Sequence, residues 1–295
     1  FHHLHPDQPC SGTNYDTLLE AGVPGADIFV AVTSSDEVNM LSGMIAKKMG
    51  AGMTIVRARN EDYHRLSQML QETLGISMII NPDYLTAVHI AYDITFPMAD
   101  SVVKLARNRV NLLEFQIFGN EKLVGMDMVS FRAKYPRIIV CAIVKANGVV
   151  IPKGNDTIGP EDSIYITGNL ASLDHFFKDV GQEERINSAL IVGGGRITRY
   201  LADILDRRKI DFSIIEINQR TAEDLADRYP KHEIVWADGT DKNILRQQGI
   251  LNYDILIALT DIDEENMVLS WTGSKMGINR TITKVSRSDI YQLLN

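Results

Sequence analysis

Residues 188–216 constrain the fold of this chain more than any other stretch. Residues 190–192 are a short apolar run of strand character, and Gly193, Gly194 and Gly195 follow as a tight turn. From Thr198 to Arg208 the apolar residues Tyr200, Leu201, Ile204 and Leu205 recur at helical spacing. A second apolar run, residues 212–215, ends on Glu216. Strand, glycine turn, helix, strand and acid in that order make a glycine fingerprint for dinucleotides credible. Glycines let a backbone approach a pyrophosphate, and a helix N-terminus offers free N–H groups and a positive dipole. An acid about 20 residues beyond the turn can accept hydrogen bonds from ribose hydroxyls. One position departs from the pattern: Thr198 stands where the third glycine allows close helix–strand packing.

The same fold signal occurs twice. At a constant offset and without a gap, Gly12-Thr13 falls on Gly239-Thr240 and Asp27-Ile28 on Asp254-Ile255. In the same register Ala31-Val32-Thr33 falls on Ala258-Leu259-Thr260, Asp36-Glu37 on Asp263-Glu264, and Asn39-Met40 on Asn266-Met267. The segment from Gly12 therefore reads as the second half of a Rossmann unit whose glycine turn has no counterpart here. The chain begins at Phe1 rather than Met and reads as a fragment. Strand and helix alternate through the first copy: strands at 28–32, 53–56 and 77–80, helices at 36–49, 62–70 and 82–94. That alternation predicts parallel sheets with helices on their faces. From Val102 the rhythm changes. Strands at 112–117, ended by Gly119, at 138–144, 149–151 and 163–167, with helices at 126–131 and 170–177, predict a small α+β module with short hairpins. A polar linker, residues 181–184, leads to the second copy. The expected class is α/β: Rossmann-like parallel sheets with an intervening small α+β subdomain. Its divisions are 1–100 for a partial first Rossmann domain, 101–182 for the small subdomain and 183–295 for the second Rossmann domain.

Composition excludes some partners. Net charge is −8, which argues against nucleic acid. No apolar run approaches the length of a membrane span, and no signal peptide opens the chain. Cys10 and Cys141 are too few for a disulfide framework and suit a reducing cytosol. His2, His3 and His5 lack further ligands at metal spacing apart from Asp7 and read as an irregular terminus.

Each copy has a strand ending in Ala-x-Thr and a helix opening with Asp-Glu-x-Asn, which in the second copy gives Thr260, Asp263, Glu264 and Asn266. Strand C-termini are where open α/β sheets bind ligands. Acids in a first helical turn also serve helix capping, so both readings of Asp263 and Glu264 stand. Asp238-Gly239-Thr240 follows the strand at 233–236 and reads either as an adenine-side contact or as a plain turn. No acid–base group is set over a nicotinamide: His64 and His89 fall on helices, His175 lies near the end of the small module, and His232 precedes a strand. The helices after Asp36 and Asp263 carry apolar residues on more than one face, Met40, Leu41, Met44 and Ile45 in one and Met267, Val268, Leu269 and Trp271 in the other. A surface wider than one stripe predicts a second packing partner and hence a homo-oligomer.

Taken together, Val192-Gly193-Gly194-Gly195, Glu216, Asp238-Gly239-Thr240 and Ala258-Leu259-Thr260-x-x-Asp263-Glu264-x-Asn266 resemble the regulator-of-potassium-conductance (RCK, or KTN) nucleotide-binding domain. Residues 113–180, with Leu123-Val124-Gly125 and Ile151-Pro152-Lys153-Gly154 before Gly159-Pro160-Glu161-Asp162-Ser163-Ile164, resemble the C-terminal ligand-sensing subdomain of the same family. Two N-type domains in one chain are similar to the family's peripheral components of potassium uptake. The resemblance implies a cytoplasmic regulatory subunit, peripheral on the inner face of the membrane. It would form a homotetrameric ring under a membrane potassium-translocating subunit and be shaped by NAD or NADH, alternatively ATP or ADP. It implies no catalytic residue and no metal. Carried over by position, it implies a phosphate loop of Gly193, Gly195, Arg196 and Ile197, a ribose acid at Glu216, and Asp238, Gly239, Thr260 and Glu264 around the rest. In the first copy only Thr33, Asp36 and Asn39 map. Against this stand an NAD(P)-dependent oxidoreductase, which would need catalytic groups in the middle module, and the cytosolic tail of a cation antiporter.

Overall fold

The computed structural model describes residues 12–97, 99, 101–105, 110–117, 120, 122–181 and 186–287. The expectations for His2, His3 and His5, for the strand end at Gly119 and for the linker beyond Gly181 lie outside these. The chain divides into two compact units, Phe1–Thr86 and Ala87–Asn295, each described by itself.

In the first unit, α1 (Tyr15–Glu20) leads to β1 (Ile28–Ala31), α2 (Asp36–Met49) and β2 (Met53–Arg57). After these come α3 (Glu61–Arg65), α4 (Ser67–Leu74), β3 (Met78–Ile80) and the start of α5 (Pro82–Thr95). The strands form a parallel sheet in the order β1-β2-β3, with Val30 opposite Ile55 and Val56 opposite Ile79. Ser35 caps α2 by accepting from the Val38 N–H, and Gly50, at φ 106°, ends it in the left-handed region. The single helix expected over 62–70 is two helices, because Leu66, at ψ 6°, interrupts the ladder. The second one runs on to Leu74 and stops at Gly75, at φ 70°. Ala31, Met40, Val56, Ala58 and Ile76 make the core.

The described residues of the second unit form two sheets. β4 (Ser101–Leu105), β5 (Val110–Gln116), α6 (Met128–Lys134), β6 (Ile138–Lys145), β7 (Gly148–Val150), β8 (Ser163–Gly168) and α7 (Leu170–Asp179) build an antiparallel sheet in the order β4-β5-β8-β6-β7. Its core is aromatic: Phe176 lies 5.0 Å from Tyr135 and 5.3 Å from Phe177 between ring centres, both edge-on. Helix α6 begins at Met128 rather than at Met126. Asp127 takes the cap by accepting from the Ser130 N–H at 2.9 Å, while the Met126 carbonyl is held by the Ile158 N–H. Strand β4, which the sequence did not announce, pairs along the whole of Ser101 to Leu105 with β5.

The remaining described strands and α-helices alternate: β9 (Ser188–Val192), α8 (Arg196–Arg208), β10 (Asp211–Glu216), α9 (Gln219–Arg228), β11 (Glu233–Trp236), α10 (Lys242–Gln247), followed by a single 3-10 turn at Ile250–Asn252, then β12 (Ile255–Ala258), α11 (Asp263–Met276) and β13 (Arg280–Thr283). All five strands are parallel, in the order β11-β10-β9-β12-β13. The order reverses at β9: the chain leaves it toward β10 and β11, then returns to its other side for β12. That switch opens a crevice at the strands' C-terminal ends. β12 has neighbours on both edges, whereas its repeat counterpart β1 has β2 alone among the described strands.

Candidate functional site

The crevice at the switch is a cavity of about 460 Å³. It is lined by Val192 at the end of β9 and the glycine turn to Gly195, by Ile215 and Glu216 at the end of β10 with Ile217, Asn218 and Thr221 beyond it, and by Asp238 to Thr240 after β11. Leu259 to Ile262 after β12, with Glu265, close the other side.

The three glycines of the turn are there for three different reasons. Gly193 has φ 103°, and a Cβ on it would stand 2.7 Å from the Leu259 carbonyl oxygen. Gly194 is hemmed in, a Cβ there meeting Leu225 Cδ1 at 2.7 Å, and its N–H donates to Glu216 Oε2 at 2.5 Å. Gly195 is the N-cap of α8 and supplies no side-chain cap. A Cβ on it would meet no protein atom within 4 Å. An uncapped helix N-terminus facing open space at a glycine turn suits a phosphate group. Thr198, at the position of the third glycine, is fully buried. It is accommodated because its hydroxyl donates to the Gly193 carbonyl at 2.5 Å, tying the first turn of α8 to the glycine turn.

Glu216 is 9% exposed, and its second carboxylate oxygen accepts from the Asn218 N–H at 2.7 Å. The acid thus sits against the glycine turn with both oxygens engaged by backbone donors. Asp238 accepts from the Thr240 hydroxyl at 2.7 Å and from its N–H at 2.9 Å, and these two bonds hold its carboxyl below the usual carboxylate range. Gly239 packs on the sheet, since a Cβ there would lie 2.4 Å from Val192 Cγ1.

Gly193, Gly195, Glu216, Asp238, Gly239 and Thr260 therefore line one cavity. Arg196, Ile197 and Glu264 do not line it. The first two occupy the opening turn of α8, and Glu264 is exposed and paired with Arg287 at 3.0 Å. Four polar residues that sequence reasoning passed over do line it: Asn218, Thr221, Asp261 and Glu265. Asn218 had a readable signal, because an Asn directly after the acid-ended strand is an N-cap, and here it caps α9 through the Thr221 N–H at 3.0 Å.

The duplicated Asp and Asn are structural. Asp263 Oδ2 accepts from the Ser286 N–H at 2.9 Å and from the Arg287 N–H at 3.0 Å. Burial alone would raise its carboxyl, but these two backbone donors hold it below the usual range. Asn266 is fully buried. Its Oδ1 accepts from the Thr260 N–H at 2.8 Å, and its Nδ2 donates to the Thr260 and Lys284 carbonyls at 3.1 Å each. The first copy repeats this bond for bond. Asp36 accepts from the Arg59 and Asn60 N–H groups at 2.8 Å, and Asn39 holds the Thr33 N–H and the Thr33 and Arg57 carbonyls. Each pair fastens a helix N-terminus to the C-terminal ends of two strands, with both amide atoms of Asn39 and Asn266 and one carboxylate oxygen of Asp36 and Asp263 bonded inside the protein. In the second copy the fastened residue is Thr260, on the cavity wall.

Two family models match this chain. The TrkA-N domain family model matches residues 9–82 and 189–295, and the TrkA-C domain model matches residues 112–181. The Trk system potassium uptake protein TrkA homolog 2 of Methanosarcina mazei is 32% identical over 294 residues, covering 96% of this chain and 65% of that protein. The TrkA homolog of Archaeoglobus fulgidus is 30% identical over 284 residues, covering 96% and 64%. The chain thus spans a little under two thirds of the length of these relatives. Among solved structures, the GsuK channel bound to NAD superposes with a TM-score of 0.61 at 16% identity, covering 92% of this chain and 52% of that one. The GsuK structure bound to ADP gives a TM-score of 0.54 at 15% identity, covering 99% and 53%. At such identity the likeness is one of fold.

Proposed function

We propose, because this chain belongs to the TrkA family of proteins built from TrkA-N and TrkA-C domains, that it is a regulatory, non-enzymatic subunit of potassium uptake. In this reading it binds NAD or NADH, alternatively ATP or ADP, in the cavity above β9, and the bound nucleotide gates a TrkH-like membrane potassium transporter. The protein would act in the cytoplasm, peripheral on the inner face of the membrane. Among the described residues no helix is long and apolar enough to cross a membrane.

The observation that carries this is the turn itself: an uncapped helix N-terminus and an open Gly195, with a buried acid beside them. The pyrophosphate would take the free N–H groups of α8, and Glu216 would take the ribose hydroxyls. Thr260 supplies a route outward. Its backbone is held by Asn266 of α11, and the far face of α11 carries Val268 and Trp271 at 58% and 60% exposure. A ligand that shifts Thr260 therefore pulls on a helix whose outer surface suits a subunit contact. Among the described residues the cavity lining includes no His, Lys, Tyr or Cys, the groups that proton transfer beside a hydride step would call on.

Calorimetric titration with NAD, NADH, ADP and ATP tests the reading. At least one is expected to bind saturably, and Glu216→Ala is expected to weaken that binding by roughly 1.5–3 kcal/mol, the worth of hydrogen bonds to a charged group. Unchanged affinity in a folded Glu216→Ala protein would remove the acid from the site. Steady NADH oxidation with a small carbonyl substrate at enzyme-like turnover would replace the regulatory reading with the oxidoreductase one.

Assembly gives a separate prediction. The intact protein is expected to be a homo-oligomer, most simply a tetramer whose Rossmann units form a ring, and Trp271→Glu is expected to shift it toward smaller species by burying a charge at the contact. Light scattering decides this, and a monomeric mass at micromolar concentration, with and without nucleotide, would defeat the ring.

A further inference from the structure

The cavity has an unusual charge for a nucleotide site. Glu216, Asp238, Asp261 and Glu265 line it, and among the described residues no Lys, Arg or His does. Three of the four carboxylates are answered within the protein. Glu216 is held by the Gly194 and Asn218 N–H groups, Asp238 by Thr240, and Asp261 by Lys284 Nζ at 3.4 Å. Glu265 makes no hydrogen bond or ion pair among the described residues. Arg196, the basic residue at the start of α8, lies outside the lining.

The acids are also unevenly placed. The sheet order sets β10, with Glu216, on one side of β9, and β12, followed by Asp261 and Glu265, on the other. A dinucleotide lies across such a switch point, with its adenosine on the side of the ribose acid and its second half across the glycine turn. The second half therefore meets the wall of Asp261 and Glu265. For NAD+ that half carries the pyridinium charge. For NADH it is neutral there. For ATP the same region would receive the terminal phosphates, which carry most of its roughly four negative charges in the absence of divalent cations.

We infer that the β12 side of this cavity selects the oxidised, cationic dinucleotide, with Glu265 as the specificity-determining residue. This rests on the nucleotide reading of the cavity and adds an order of preference: NAD+ first, NADH next, ATP last. Asp261 contributes less, because Lys284 already offsets it and because it is fully exposed to solvent screening.

The test is calorimetry on the full chain in EDTA buffer with NAD+, NADH, ADP and ATP, for the parent protein, Glu265→Gln and Glu265→Lys. The parent is expected to bind NAD+ about tenfold or more tightly than ATP, and Glu265→Lys to collapse that ratio or invert it, with Glu265→Gln between the two. The preference is expected to shrink as salt rises. Equal or tighter binding of NADH or of ATP by the parent protein, or an NAD+ to ATP ratio that moves less than about threefold in folded Glu265→Lys, overturns the inference. Failure of all four ligands to bind would sink the nucleotide reading itself and this inference with it. Binding without discrimination would sink this inference alone.

Discussion

Gly195→Ala is expected to fold as stably as the parent chain, to within about 1 kcal/mol, and to lose nucleotide affinity by about 2–3 kcal/mol, thirty- to a hundredfold or more. The two effects separate because of where the added methyl points. Gly195 has φ −68° and ψ −171°, a backbone that any residue adopts, and a Cβ there meets no protein atom within 4 Å. Alanine even removes some unfolded-state freedom. The space that receives the methyl is the space through which a pyrophosphate would approach the N–H groups of α8. Gly193→Ala is the contrast. At φ 103°, with its Cβ forced to 2.7 Å from the Leu259 carbonyl oxygen and 2.8 Å from its carbon, it is expected to cost about 3 kcal/mol or more in stability. Urea unfolding and calorimetry on the two variants read both quantities. Wild-type affinity in Gly195→Ala would move the phosphate off the turn.

The glycine turn was legible because its requirements are local. A strand, a turn that only glycine can make and an amphipathic helix lie within twenty-odd consecutive residues, and the acid at Glu216 ends the next strand. The repeat likewise reached the parallel sheets of both copies. Helix phase was harder to read. Asp263, Glu264 and Glu265 are three acids in a row, and which of them faces the cavity depends on which side of α11 packs inward. Asp263 and Asn266 are the buried pair, one turn apart, and this rotation leaves Glu264 beside Arg287 and Glu265 on the cavity. Arg196 and Ile197 lie off the cavity lining for a related reason. A helix N-terminus presents backbone N–H groups to a ligand, and the side chains of its first turn need not follow them. The choice between capping and ligand contact for Asp263 could not be settled from sequence, because its partners, the Ser286 and Arg287 N–H groups, lie more than twenty positions away.

Asn266→Ala is expected to destabilise the second unit by about 3–4 kcal/mol, and Asn39→Ala the first unit by a similar amount, because the two residues do the same job with the same bonds. Removing the Asn266 side chain leaves the half-buried Thr260 N–H without its acceptor and takes a donor from each of two carbonyls, Thr260 and Lys284. Each of the three bonds contributes about 1 kcal/mol, and a half-buried N–H left without a partner adds at most about 1 kcal/mol more. Aspartate is no remedy, since it would turn a carboxylate toward the two carbonyls that the amide now serves. Hydrogen exchange separates the two units. Asn39→Ala should lower protection across β1 and β2, and Asn266→Ala across β12 and β13, with losses below about 1 kcal/mol in either case arguing that water replaces the amide at little cost. Nucleotide affinity then breaks the symmetry. Thr260 is part of the cavity wall, so Asn266→Ala should weaken binding as it loosens that wall, while every residue lining the cavity belongs to the second unit and Asn39→Ala should leave binding intact. Equal losses of affinity in the two variants would mean that the amide acts through overall stability rather than through the wall it holds.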